Sequence, residues 1–137
     1  MMKWNKIIAA VLVVAVFPAF PQEASAASYA DISALELKQR MDDEDDDNFI
    51  ILDIRDEADY DEKHIPGAIN IPLKELGYKV FSLDRTKDII VYCASGVRSK
   101  VASKILINAG FKDVFNLTGG IKAWNYPIET SDGRVSI

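Results

Sequence analysis

The one cysteine of this 137-residue chain, Cys93, opens the run Cys93-Ala94-Ser95-Gly96-Val97-Arg98-Ser99. A thiol attacks only as its thiolate, and the thiolate forms where hydrogen-bond donors or positive potential stand close to the sulfur. The run can supply both. Gly96 lets the backbone curl tightly, so that N–H groups from Ala94 to Ser99 converge on an anion, and Arg98 adds a fixed positive charge. No histidine lies within the run, so activation would come from amides and the field of a helix start. The implied chemistry is a sulfur nucleophile beside an oxyanion cradle. With no second cysteine in the chain, an intramolecular dithiol reaction is closed. A lone cysteine can also be an inert core residue, but that role belongs to mid-strand or mid-helix positions.

The flanking residues place Cys93 at a strand-to-helix turn. Ile89-Ile90-Val91-Tyr92 is a continuous apolar run of the kind buried on both faces of a parallel sheet. From Ser99 onward, Val101, Ala102, Ile105, Leu106 and Ala109 recur at helical spacing, with Gly110 placed as the C-terminal cap. Val114 to Leu117 reads as the next strand. Strand, helix and strand in this order predict a βαβ crossover, with parallel strands and the helix packed on the sheet. Ligands of open α/β sheets gather at the carboxyl ends of such strands.

Upstream, Ser33-Ala34-Leu35-Glu36 is a capping-box pattern that starts a helix carrying Leu37 and Met41. The acidic run Asp42 to Asp47 lacks the glycine turn and distal glutamate of a calcium loop and reads as a solvated connection. Phe49-Ile50-Ile51-Leu52 is a second buried strand, with Asp53 and Arg55 at its C-terminal end. These two are expected to be buried and bonded to each other or to backbone. Prolines and glycine make Ile65 to Pro72 a short extended piece, and Leu73 to Tyr78 a brief helix. His64 is expected to hold a turn by a hydrogen bond. Trp124, after Gly119-Gly120, is expected to anchor packing.

Met1 to Ala26 has the parts of a secretory signal: Lys3 and Lys6, the apolar stretch Ile7 to Phe17, and Ala24-Ser25-Ala26 as a peptidase site. The apolar stretch stops at Pro18, short of the roughly 20 residues that span a bilayer. Cleavage after Ala26 is expected, leaving no stable membrane anchor and a periplasmic or extracellular protein. The remaining 111 residues (27–137) suit a single domain and carry 14 basic and 20 acidic side chains. That acidity, without a basic cluster, argues against nucleic acid as a partner. No residue set resembles a metal site, and no cofactor is called for.

Several separated motifs resemble, in order, the landmarks of the rhodanese-like domain family. They are Asp53-Ile54-Arg55, His64-Ile65-Pro66-Gly67-Ala68-Ile69-Asn70-Ile71-Pro72, Cys93 to Ser99, and Gly119-Gly120-Ile121-Lys122-Ala123-Trp124. The resemblance implies a three-layer α/β domain, with a central parallel sheet of about five strands and helices on both faces. It implies a sulfurtransferase in which Cys93 is the catalytic residue and becomes a persulfide. The backbone of Ala94, Ser95, Gly96, Val97, Arg98 and Ser99 would bind the substrate, with Arg98 assisting electrostatically. A small-molecule donor such as thiosulfate would load the sulfur, and a thiophilic acceptor, such as cyanide, a thiol or an acceptor protein, would take it. A non-catalytic or partner-dependent sulfur carrier is the alternative. The related phosphatases have a cysteine-to-arginine loop one residue longer, usually with histidine before the cysteine. Here Tyr92 precedes Cys93, so the resemblance points to sulfur transfer.

Overall fold

The apolar runs form the middle of a five-stranded parallel sheet in the computed structural model, which describes residues 13–16, 18–19 and 27–137. Apart from those two short pieces, the expected signal and its cleavage point lie outside the described residues. Among the described residues no helix is long and apolar enough to cross a membrane. The elements run β1 (Ala30–Ile32), α1 (Ala34–Asp42), β2 (Phe49–Asp53), α2 (Glu57–Glu62), β3 (Ile69–Asn70), α3 (Leu73–Lys79), β4 (Asp88–Tyr92), α4 (Arg98–Asn108) and β5 (Val114–Leu117). A hairpin of β6 (Ile128–Glu129) and β7 (Val135–Ser136) follows. The sheet order is β1-β5-β4-β2-β3, all parallel, so β4 is central and its carboxyl end is flanked by those of β2 and β5.

Alternation along the strands divides the core in two. Leu52, Ile54, Ile89, Val91 and Cys93 point to one face, where Leu76 and Val80 and the α4 residues Ala102 and Leu106 meet them. Ile51, Ile90 and Tyr92 point to the other, against Leu37 of α1, Ile65 and Trp124, with Tyr60 of α2 packed alongside. The two-residue period of a strand thus fixes the face on which Cys93 emerges, and it is the α4 face.

Local chemistry sets the helix ends. Ser33 caps α1 with a complete capping box: its Oγ accepts from Glu36 N–H at 3.2 Å, and Glu36 Oε2 accepts from Ser33 N–H at 2.8 Å. Helix α4 ends in a Schellman pair, Gly110 N–H to Ile107 O at 3.0 Å and Phe111 N–H to Leu106 O at 3.1 Å, with Phe111 and Leu106 both in the core.

One local expectation needs correction. Val101, expected on the apolar face of α4, is 52% exposed. The buried stripe is instead Ser99, Ala102, Ser103 and Leu106. Serines can occupy it because both hydroxyls are satisfied inside: Ser103 Oγ donates to Ser99 O at 2.8 Å, and Ser99 Oγ to Asn116 Oδ1 at 2.5 Å. The acidic run is exposed, as expected of a solvated connection, apart from the half-buried Asp46. Arg40 reaches from α1 to Asp46 at 2.7 Å and Asp88 at 2.9 Å, tying the run's end to the start of β4. The β6–β7 hairpin was not anticipated, since its strands are too short to show alternation. Its Glu129 exchanges two backbone hydrogen bonds with His64, each 2.8 Å.

Candidate active site

Cys93 leaves β4 at the point where α4 begins, and its side chain is drawn back beneath the loop, leaving the residue 1% exposed. Its Sγ accepts the Gly96 N–H at 3.2 Å and the Ser99 N–H at 3.4 Å, and it lies 3.4 Å from Ser99 Oγ. Val97, the residue before α4, makes no side-chain cap. The sulfur therefore takes the part an N-cap oxygen ordinarily plays, meeting an N–H of the first turn that would otherwise lack a partner. Burial pushes the Cys93 thiol up, but the hydrogen bonds at Ser99 and the amides of Ser95 and Gly96 outweigh it and hold the thiol below its ordinary value. The shift raises the share of the ionised form, which is the nucleophilic one.

The loop's curl depends on its neighbours. Gly96 has φ +88°, and a Cβ there would stand 3.0 Å from Gly119 N and 3.2 Å from Leu117 O. Opposite it, the 3-10 turn Gly120–Ala123 grips the loop from outside. Ile121 N–H donates to Cys93 O at 2.9 Å and Lys122 N–H to Ala94 O at 3.1 Å. A Cβ on Gly120 would lie 2.4 Å from Cys93 O, so the turn approaches only because that residue is glycine. With the carbonyls held outward, the loop N–H groups are left to face the sulfur.

Ser95, Val97 and Arg98 are exposed, Ala94 is half-buried, and Gly96 and Ser99 are buried. Arg98 is the first residue of α4 and has no ion pair among the described residues. A cleft of about 160 Å³ takes in Ser95 and Gly96 on the loop, together with Asp31, Lys100 and Asn116; Cys93 does not line it. Larger clefts lie along α1 and against β2 and β3, away from the sulfur and without a nucleophile.

The remaining residues singled out from sequence are structural. Asp53, fully buried, and Arg55 form an ion pair at 2.7 Å, and Arg55 Nη2 also donates to Lys63 O at 2.7 Å. His64 is stacked on Tyr60 with ring centroids 3.8 Å apart and has Nδ1 2.8 Å from Tyr60 O. Trp124 is 6% exposed and donates from Nε1 to Pro127 O at 2.9 Å. Tyr92 is an un-ionised phenol, its pKa pushed far up by burial, and its hydroxyl accepts the Ile65 N–H at 3.1 Å.

A family model for the rhodanese-like domain matches residues 33–126, which takes in strands β2 to β5, the cysteine loop and the turn that grips it. The chain belongs to the rhodanese-like domain family. This rhodanese-like domain is 34% identical over 106 residues to the thiosulfate sulfurtransferase GlpE of Coxiella burnetii, covering 77% of this chain and 96% of that one. It is 36% identical over 100 residues to YrkF of Bacillus subtilis, provisionally named a sulfur carrier protein; the match covers 73% of this chain and 53% of YrkF, about half its length. The rhodanese-like domain of an Anabaena protein, solved in solution, superposes with a TM-score of 0.67 at 36% identity, covering 73% of this chain and 78% of that one. The parallel five-stranded sheet with helices around it is the rhodanese-like fold.

Sequence reasoning missed three contributors. Gly120 shapes the loop of this rhodanese-like domain from outside, and its signal was the paired glycine ahead of Trp124. Asn116 on β5 bonds Ser99 and Asp31 on β1 bonds Asn116, and no local pattern marks either one.

Proposed function

We propose that this rhodanese-like domain is a sulfurtransferase that carries sulfane sulfur on Cys93. The observation that carries the reading is the convergence of the Gly96 and Ser99 N–H groups on Sγ at the start of α4. Those donors favour a thiolate, and they remain available to a persulfide. In the first step the Cys93 thiolate attacks the outer sulfur of thiosulfate. An S–S bond forms, the donor's own S–S bond breaks, and sulfite leaves with the electron pair. In the second step a thiophile such as cyanide takes the outer sulfur, thiocyanate leaves, and the thiolate is restored. The naming of GlpE as a thiosulfate sulfurtransferase supports thiosulfate as donor. Ala94, Ser95 and Val97 would contribute backbone, and Arg98 long-range attraction for the anionic donor.

Cys93→Ser should abolish thiocyanate formation from thiosulfate and cyanide while leaving the far-ultraviolet circular dichroism unchanged. Activity retained in that variant would defeat the assignment. A partner-dependent sulfur carrier is the second reading, favoured by the uncharged Ala94 and Ser95 and by the naming of YrkF. Intact mass after thiosulfate exposure separates the two: rapid gain of one sulfur, discharged by cyanide, fits the enzyme, whereas gain only from a protein donor fits the carrier. Export through the N-terminal signal is part of the proposal, and N-terminal sequencing of the mature protein tests it, with Ala27 as the expected first residue.

A further inference from the structure

Ser99 is linked to the protein surface by a chain of side chains that leaves each group one role. Asn116, 1% exposed, donates from Nδ2 to Asp31 Oδ1 at 2.9 Å and accepts at Oδ1 from Ser99 Oγ at 2.5 Å. An ionised carboxylate only accepts hydrogen bonds, so Asp31 requires the NH₂ end of the Asn116 amide. The carbonyl end must then face Ser99. An amide oxygen also only accepts, so the single proton of the Ser99 hydroxyl is committed to Asn116. Toward Cys93, 3.4 Å away, Ser99 Oγ presents lone pairs.

We infer that Asp31 and Asn116 are positioning residues that hold Ser99 as a hydrogen-bond acceptor toward Cys93 and so temper the reactivity of the free thiol. The inference deepens the sulfurtransferase reading and rests on Cys93 being its reacting atom. With the thiol protonated, every member is satisfied: S–H to Ser99, Ser99 to Asn116, Asn116 to Asp31. When Cys93 ionises, the Ser99 proton must leave Asn116 for the sulfur, stranding a buried carbonyl, or stay and turn lone pairs on an anion. Both choices disfavour the thiolate, against the loop amides that favour it. Once sulfur is loaded, Sγ has no proton to give and the charge sits on the outer sulfur. The pair then no longer opposes the ionised state.

The charged groups on the surrounding elements are Asp31 on β1, Arg98, Lys100 and Lys104 on α4, Lys122 in the 3-10 turn, Asp53 and Arg55 at and just after the end of β2, Asp56 at the start of α2, and Lys74, Glu75 and Lys79 on α3. Among the described residues only Asp31 is hydrogen-bonded into the chain. Its loss would act in two ways: it frees the Asn116 amide to turn over, and it removes a negative charge. Salt separates the two, because about 1 M screens exposed charges beyond roughly 3 Å and leaves amide orientation alone.

The test is the pH dependence of iodoacetamide alkylation at Cys93, followed by intact mass in the unmodified protein, Asp31→Ala and Asn116→Ala. Asp31→Ala should move the midpoint to lower pH, with alkylation on its acidic side about threefold faster or more, and the shift should persist at about 1 M salt. Asn116→Ala, which keeps the Asp31 charge, should shift it the same way. If its melting curve shows that it does not fold, the exposed Asp31→Ala decides alone. A midpoint that stays put or rises in Asp31→Ala, or a shift that vanishes in salt, overturns the inference. The readout needs no sulfur transfer. A shifted profile on a protein that takes no sulfur would defeat the sulfurtransferase reading alone, and normal loading with an unmoved profile would defeat this one alone.

Discussion

At the scale of single residues, the sulfur atom is held by its surroundings more than by its own side chain. Two backbone N–H groups and one hydroxyl surround Sγ, and none comes from a conventional base. The strictest demand at the site falls on Gly120, which touches no substrate. A methyl group there would meet Cys93 O at 2.4 Å and Ala94 O at 2.6 Å, both backbone atoms that cannot swing aside. Gly120→Ala should therefore destabilise the fold by about 1–3 kcal/mol, combining left-handed backbone with steric conflict. It should also lower sulfur-transfer activity further than the stability loss explains, because the displaced carbonyls carry the loop amides with them. A melting curve and an initial-rate assay on the same sample check both parts.

At the scale of elements, Ser33 offers a clean test, since its side chain bonds Glu36 within the capping box at the start of α1. Ser33→Ala should cost about 1 kcal/mol in denaturant unfolding and leave activity intact. That box was legible in sequence because capping is local: Ser33 and Glu36 are three residues apart and need no tertiary information. The same holds for β2 and β4, whose apolar runs are long enough to declare burial, and for the position of Cys93 between strand and helix. The inward face of α4 was misread at Val101 because periodicity counts apolar side chains, whereas burial of Ser99 and Ser103 depends on partners elsewhere. The link from Asp31 to Asn116 joins residues 85 positions apart on neighbouring strands. Only the β1–β5 pairing, Asp31 opposite Asn116, brings them together, and strand pairing is what a single sequence least reveals.

At the scale of the whole molecule, two apolar clusters share one sheet, with β2 and β4 contributing alternate residues to each. A fold built this way should unfold as a unit. Leu106→Ala on one face and Leu37→Ala on the other should each cost about 2–5 kcal/mol and shift one common transition, seen alike by tryptophan fluorescence and circular dichroism. The pair should be nearly additive; two separate transitions would show that the faces are independent. The alternation that divides the clusters also governs which changes of length the chain can absorb. Lengthening the connection between α1 and β2 at Asp43 to Asp45, on the surface, leaves every strand register as it is. Deleting or inserting one residue within Asp88–Tyr92 instead swings the thiol through the sheet to the α1 side, where no helix start awaits it. The position of the Cys93 sulfur is thus counted in residues from the start of a central strand. Variation in this domain should accumulate as loop insertions while β4 keeps its length.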